Sequence, residues 1–164
     1  MVASRPTTWE QIPDRTGLVR AMELTTALEF AREHRNGVLA TQKTNGRPQL
    51  SNIIYALGDD GLVRVSITAD RAKAHNARRD PRVSLHISAD DFWAYVVLEG
   101  DADLSPVAAS PDDETVDELV ALYRSMVGEH DDWDDYRQAM VRDRRLVLRL
   151  RPTHAYGMLN IPQP

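Results

Sequence analysis

The chain has 164 residues, which suits one domain, and it contains no cysteine. Disulfides, thiolate catalysis and cysteine-ligated zinc are therefore excluded, and a cytoplasmic location is expected. The net charge of −5 argues against a general nucleic-acid surface. No stretch approaches the roughly 20 apolar residues that span a bilayer, and the opening residues lack the apolar segment of a signal peptide. We therefore expect neither a nucleic acid nor a membrane as a partner.

The first predicted helix follows an N-terminal arm, residues 1–21, in which prolines and mixed polarity favour an extended chain. Apolar residues at helical spacing then predict a helix from Met22 to His34, and Asn36-Gly37 ends it. No linker, internal repeat or low-complexity tract follows. Residues 22–164 are therefore expected to form a single domain.

Strand signals then dominate the sequence. Turn residues at Asn45-Gly46 and at 58–61 imply hairpins, and hairpins imply antiparallel pairing. About six strands in so short a chain favour a small barrel, because closure removes exposed edges. The predicted strands are Val38–Gln42, Pro48–Leu57, Leu62–Thr68, Val83–Ile87, Trp93–Leu104 and a last one from Leu146 towards Tyr156.

Three more helices are predicted among and after these strands. Asp70 is a suitable N-cap for a short helix over Arg71–Arg79. Ser110-Pro111-Asp112-Asp113 predicts a second helix start, with Ser110 as N-cap and proline at the first position. That helix ends at Gly128, and residues 131–143 form the third.

The strongest candidate site is the turn from Ser66 to Lys73, with Asn76 one helical turn later. A strand delivers the chain to a helix N-terminus, where unpaired N–H groups and the helix dipole favour a phosphate. Arg71 and Lys73 lie at the end of a helix where positive charge is unfavourable. A bound anion would account for them, and the alternative is an ordinary solvated surface.

Two weaker candidates involve other strands. Gln49, Ser51 and Asn52 could hydrogen-bond the edge of a heterocycle, although an ordinary strand explains them better when nothing else is known. Aromatic residues could wall a planar ligand or contact a second subunit, or could belong to the core. These aromatic residues are Trp93, Tyr95, Trp133 and Tyr136.

Several familiar catalytic patterns are missing from the sequence. The five histidines lack metal-binding spacing, so no metal site is predicted. His86 lies on the polar face of its strand and could face a cavity, although a core or surface histidine is commoner. No serine-hydrolase or nucleotide-binding glycine motif occurs. A redox enzyme needs none of these patterns, because its cofactor carries the chemistry.

Three segments together resemble the pyridoxamine 5′-phosphate oxidase-like flavoprotein superfamily. They are GVLATQKTNGRPQLSNIIYAL, VRVSITADRAKAHNARRDPRVSLHI and DFWAYVVLEGDADL. The helical stretch that begins SPDDETVDELV is typical of the branch that binds the deazaflavin coenzyme F420. The resemblance covers roughly residues 35–157, and its motifs are specific in combination rather than singly.

The resemblance implies a mainly β fold with helices (α+β), a six-stranded antiparallel split β-barrel of the FMN-binding type. It implies a homodimer with two equivalent cofactor sites at the subunit interface. Arg71 and Lys73 resemble the ligands of the cofactor phosphate, the strand after Arg47 resembles the ring-lining strand, and Trp93 and Tyr95 would come from the second subunit. The implied cofactor-binding residues are Pro48, Gln49, Leu50, Ser51, Asn52, Ser66, Ile67, Arg71, Lys73, Asn76, Trp93 and Tyr95.

The function implied is that of an oxidoreductase that uses reduced coenzyme F420 to transfer a hydride to a conjugated or otherwise electron-poor small molecule. FMN is the alternative cofactor. Only Lys43 and Lys73 are lysines among 20 basic residues, a bias typical of GC-rich genomes that favours the deazaflavin.

Two competing functions stay open beside this one. The chain could be an FMN-dependent protein similar to pyridoxamine 5′-phosphate oxidase, or a non-catalytic protein that stores or carries F420 or FMN. Residues 156–164 lack the arginine-containing ending of true pyridoxamine phosphate oxidases, which argues against vitamin B6 oxidation. No catalytic acid or base is assigned.

Overall fold

A computed structural model describes residues 20–159, and most of the predicted N-terminal arm lies outside this range. The elements are β1 (Arg20–Ala21), α1 (Leu24–Arg32), β2 (Asn36–Gln42), β3 (Pro48–Ile54), β4 (Ala56–Leu57), β5 (Val63–Thr68), α2 (Ala72–Arg79), β6 (Arg82–Ser88), β7 (Tyr95–Leu104), α3 (Glu114–Met126), α4 (Trp133–Arg142) and β8 (Arg145–Met158). The prediction of a mainly β protein with helices is confirmed.

The strands form one antiparallel, curled sheet in the order β3-β2-β6-β7-β8-β5-β4, and β1 adds to β8. β3 and β4 occupy opposite ends of this order, yet only Tyr55 separates them in the chain. Tyr55 is buried, and its hydroxyl donates a hydrogen bond to the carbonyl oxygen of Ala31 at 2.8 Å. The sheet therefore curls into a half-barrel, because one short stretch of chain must join its two ends.

Among residues 20–159 the sheet already has eight strands, so the predicted count of six is wrong. Each of the six predicted segments contains a strand, although Leu62 and Trp93 fall just before β5 and β7, and the segment Pro48–Leu57 is broken at Tyr55 into β3 and β4. The additional strand is β1, at the end of the predicted arm. A break of this kind leaves no pattern in the sequence, since both halves keep strand-like residues.

The main core lies inside the curl of the sheet. Strand alternation sends Leu39, Leu85 and Leu98 inward, and alanines of α1 and α2 pack against the same cluster. Small alanine side chains let the two helices approach the sheet closely. A second, smaller cluster lies beneath α3 and α4 and is built from Ala108, Val116, Leu119, Val120, Met140 and Val147.

Two predicted N-caps are wrong, and local hydrogen bonds explain both. Asp70 accepts a hydrogen bond from the Thr68 hydroxyl at 2.7 Å, and α2 starts later, with Arg71 as its N-cap. Ser110 is also outside its helix, because the carboxylate of Asp113 caps α3 by accepting from the N–H of Val116 at 2.8 Å. Aspartate and serine bond several nearby backbone and hydroxyl groups, so the sequence leaves their partners undecided.

Glu118 ties α3 to the sheet by ion pairs. Its carboxylate accepts from Arg64 Nε on β5 at 3.1 Å and from Arg149 Nε on β8 at 2.9 Å. The two arginines also pair outward, with Asp60 and with Asp103. The Glu118 side chain is only 18% exposed. Burial raises its pKa, but hydrogen bonds from Arg149 and then Arg64 outweigh burial and hold the pKa below its ordinary value.

We predict that Glu118→Gln lowers the free energy of unfolding by about 1–3 kcal/mol, because two partly buried arginines lose their charged acceptor. A carboxyl with a lowered folded pKa stabilises the protein above its ordinary value of 4.5, and this contribution fades as the pH falls through the folded pKa. The difference in the free energy of unfolding between the variant and the wild type, measured with urea, should therefore shrink as the pH falls below the folded-state pKa of Glu118.

The control for this prediction is Asp103→Asn. This side chain is 74% exposed, so its replacement should change the free energy of unfolding by at most about 0.5 kcal/mol. Equal losses in both variants would contradict the assigned role of Glu118.

Candidate functional site

A cavity of about 700 Å³ opens where β5 ends and α2 begins. The polar face of β5 contributes Ser66 and Thr68 to it, and the turn after β5 contributes Arg71 and Lys73. Met126 and Val127, at the end of α3, form the opposite wall. We call this cavity the cationic lobe, because Arg35, Arg71, Lys73 and Arg145 line it and no acidic residue of the described chain does.

Arg145 lies at the centre of this arrangement, although the sequence pattern did not single it out. Antiparallel pairing of β5 with β8 puts Arg145 directly opposite Thr68. Its Nη1 lies 3.5 Å from the Ser66 hydroxyl oxygen, and its Nε is buried without a hydrogen-bond partner in the described structure. The sequence indicates only that Arg145 belongs to a strand region, and this does not reveal which strand pairs with it.

Lys73 is half-buried and has no neutralising partner among residues 20–159. Burial lowers the pKa of its ammonium group, and the positive charge of Arg71 lowers it further. Within the same range, no carboxylate forms an ion pair with Arg71, Lys73 or Arg145. Bound anionic oxygens would offset both effects on Lys73.

The start of α2 adds backbone donors to these cations. Its N-cap, Arg71, makes no side-chain capping bond, and the first N–H groups of a helix have no acceptor within the helix. Asp70, which would weaken an anion site, is bonded to Thr68 and is not among the residues that line the lobe. The donor set therefore fits a phosphate group.

A second cavity of about 570 Å³ adjoins the first. The two share Asn36, Asn52, Ile53 and Ile54, so they form one groove along the start of β2 and the end of β3. We call the second cavity the His86 lobe. Its remaining lining residues are Gly37, Val38, His86, Ser88, Ala89, Asp90 and Phe92.

Five of the predicted cofactor-binding residues come together in the cationic lobe, namely Asn52, Ser66, Ile67, Arg71 and Lys73. Four others, Pro48, Gln49, Leu50 and Ser51, lie on β3 but towards the β2–β3 hairpin and do not line the groove. Asn76 is buried behind α2, where its amide donates to the Thr41 hydroxyl at 3.1 Å. Roles for these residues in binding a cofactor stay predictions.

The β6–β7 hairpin presents aromatic residues beside the His86 lobe. Phe92 is 80% exposed and has φ of 64°, which is rare for a bulky side chain. Trp93 follows it in the loop, half exposed, and Tyr95 stacks on His86 with ring centroids 5.3 Å apart. Neither Trp93 nor Tyr95 lines either lobe of this single chain.

The remaining two candidate aromatics have a structural place. Trp133 and Tyr136 pack against Tyr123 and His130 in an aromatic cluster between α3 and α4. The guanidinium of Arg124 lies 4.5 Å from the ring centroid of Trp133. Of the alternatives given for Trp133 and Tyr136, the structure therefore supports a place in the partly buried core.

Residues 20–159 offer neither a cluster of metal ligands nor a membrane-spanning helix. No three histidine, aspartate or glutamate side chains in that range lie close enough together to hold a metal ion. No helix in the same range is both long and apolar enough to cross a membrane.

Comparison with known proteins adds a family to this geometry. The family model described as pyridoxamine 5′-phosphate oxidase matches residues 24–159. The fold is similar to that of a conserved hypothetical protein from Mycobacterium tuberculosis, with 24% identity, a TM-score of 0.68 and coverage of 87% of this chain and 91% of the other.

Two further solved structures share the fold. One is an F420 reductase, with 24% identity, a TM-score of 0.56 and coverage of 74% of this chain and 88% of the other. The second is an FAD-binding protein from Mesorhizobium loti, with 18% identity, a TM-score of 0.60 and coverage of 85% and 95%. Since the family model spans most of the sequence, the chain belongs to the pyridoxamine 5′-phosphate oxidase family.

Proposed function

We propose that this protein is an oxidoreductase that binds a phosphate-bearing flavin or deazaflavin in the groove, with coenzyme F420 as the cofactor and FMN as the alternative. The observation that carries the proposal is the set of cations around the start of α2, Arg71, Lys73 and Arg145, with which no carboxylate of residues 20–159 forms an ion pair. Burial and the nearby charge of Arg71 both disfavour the charged form of Lys73, and a bound anion would supply the counter-charge.

The comparisons support a redox cofactor. The chain belongs to a family whose description is pyridoxamine 5′-phosphate oxidase, and proteins of the same fold include an F420 reductase and an FAD-binding protein. The scarcity of lysine, with Lys43 and Lys73 alone among 20 basic residues, favours the deazaflavin.

The residues of the groove divide the work of binding. Arg71 and Arg145 offer planar guanidinium groups that can grip phosphate oxygens in pairs, and Lys73 acts as a compact point charge. Asn52 and Ile54, which belong to both lobes, would hold the ring by hydrogen bonding and apolar contact.

When bound in reduced form, the cofactor supplies a hydride, and an electron-poor substrate that gains this hydride and a proton is reduced by two electrons. The chain's own contribution is to orient both molecules and to exclude water. Ile54 and Val127 are 60% and 66% exposed in the single chain and provide apolar walls for this purpose. We assign no acid or base to a side chain.

The proposal includes a homodimer with the groove at its interface. Leu50 and Ile54 point to the same side of β3, and both are exposed, as is Phe92 beside the groove. Exposed apolar groups in one region mark an interaction surface. A second copy placed there would cover Ile54 and Phe92 and would complete the walls of the groove.

The decisive experiment is titration of the purified protein with coenzyme F420 and with FMN, followed by fluorescence. Tighter binding of the deazaflavin, and its oxidation with a panel of enones and quinones, would support the proposal. Binding without turnover on any acceptor would favour a storage or carrier protein. No affinity for either ring system would refute the proposed function.

We predict that Lys73→Met weakens cofactor binding by about 10- to 100-fold, the scale of one charge-assisted hydrogen bond. The matched control is Lys43→Met, which removes the only other lysine, at the exposed β2–β3 hairpin. Dissociation constants from fluorescence titration should change for the first variant alone. An unchanged constant for Lys73→Met would remove Lys73 from the site.

We also predict that Lys73→Met leaves the free energy of unfolding of the cofactor-free protein at pH 7 equal to or above that of the wild type. The folded-state pKa of Lys73 lies below its ordinary 10.5, so the charged group opposes folding at neutral pH. This opposition disappears as the pH rises to the ordinary value. A loss above about 1 kcal/mol in urea unfolding would show that Lys73 supports the fold instead.

A third prediction concerns assembly. Leu50→Glu introduces a charge into the proposed interface without touching the groove, so the variant should sediment as a monomer and bind the cofactor more weakly. Asp101→Asn, an exposed change elsewhere on the sheet, should leave the dimer intact. A wild-type monomer in sedimentation analysis would overturn the proposed assembly.

A further inference from the structure

The two lobes of the groove differ sharply in charge. Four cationic side chains line the cationic lobe, whereas the His86 lobe contains Asp90 and, among the described residues, neither arginine nor lysine. The lobes touch through Asn36, Asn52, Ile53 and Ile54, which carry no formal charge. The cationic lobe therefore favours anions, whereas the only acidic group that the described residues place in the His86 lobe is the exposed carboxylate of Asp90.

The walls of the His86 lobe suit a flat molecule. Val38 and Ile54 supply aliphatic surface, and Phe92 projects its ring from the β6–β7 hairpin. His86 is held in a stack with Tyr95, so its ring presents a fixed polar edge. Ser88 adds a hydroxyl that can donate or accept a hydrogen bond.

We propose that the His86 lobe is the substrate site and that it selects planar conjugated molecules that are neutral or cationic, with Asp90 as the residue that rejects anions. This inference rests on the proposed function, because the cofactor phosphate must occupy the cationic lobe. A substrate bearing a phosphate or carboxylate would meet Asp90 in one lobe and an occupied anion site in the other. The chain thus disfavours phosphorylated substrates, although the description of its family names one, pyridoxamine 5′-phosphate.

The test measures binding directly and does not depend on turnover. Inorganic phosphate at saturating concentration fills the cationic lobe, and equilibrium dialysis then follows two probes of one shape. The probes are two 1,4-naphthoquinones that carry, at the same position of the benzo ring, either a neutral sulfonamide group or an anionic sulfonate group. We expect the neutral quinone to bind about three to five times more tightly, because Asp90 is exposed and water screens its charge.

Two matched variants locate the effect. Asp90→Asn should reduce the preference for the neutral quinone several-fold, mainly through tighter binding of the sulfonate. Asp101→Asn makes the same change of net charge on an exposed part of β7 outside the groove and should leave the preference unchanged. Equal shifts in the two variants would overturn the role of Asp90, because they would show a general charge effect.

Two further outcomes separate this inference from the proposed function. If the protein binds F420 or FMN but holds the two quinones equally well, or holds neither, the substrate site is wrongly placed and the proposed function stands. If the protein binds the neutral quinone selectively but has no affinity for either cofactor, the proposed function fails and the inference, which rests on it, fails with it.

Discussion

The pairing of β5 with β8 is the constraint on which the site depends. It brings Arg145 alongside Ser66 and Thr68, so that a third cation joins Arg71 and Lys73 at the start of α2. The same pairing sets Arg64 opposite Arg149, and Glu118 on α3 bonds to both. The pairing of these two strands thus places charged residues in two regions of the half-barrel. Around Glu118 the charges are paired, whereas in the cationic lobe they have no ion-pair partner among the described residues.

Charge neutralisation distinguishes those two regions. Around Glu118 both arginines have a carboxylate, and the ion pairs hold α3 on the sheet. In the cationic lobe the described residues provide no carboxylate, and the pKa of Lys73 is lowered by burial and by Arg71. Groups with perturbed pKa values cluster at functional sites, which is why the cationic lobe is the candidate site of this fold.

The two lobes of the groove also differ from each other in charge. Its cationic lobe suits a phosphate, its shared middle residues are uncharged, and its far lobe combines Asp90 with aromatic and aliphatic walls. Phe92, held at a positive φ, marks the hairpin beside the far lobe as a place where the backbone is strained.

Local sequence patterns were enough to predict six strand segments, the hairpins and two cations of the groove. The alternation of buried and polar residues along Val63–Thr68 depends only on residues that are close together in the sequence, and so does the helix that follows. Arg71 and Lys73 were found in this way, and the structure brings both into one cavity.

Which other residues line the groove was decided by the tertiary structure, because it depends on how the chain folds back on itself. Arg145 and Asp90 reach it through strand register and hairpin geometry, and Asn76 turns inward to Thr41 because α2 packs against β2. Residue spacing along the chain carries no record of such contacts, because they are fixed only when the sheet curls and its ends are joined.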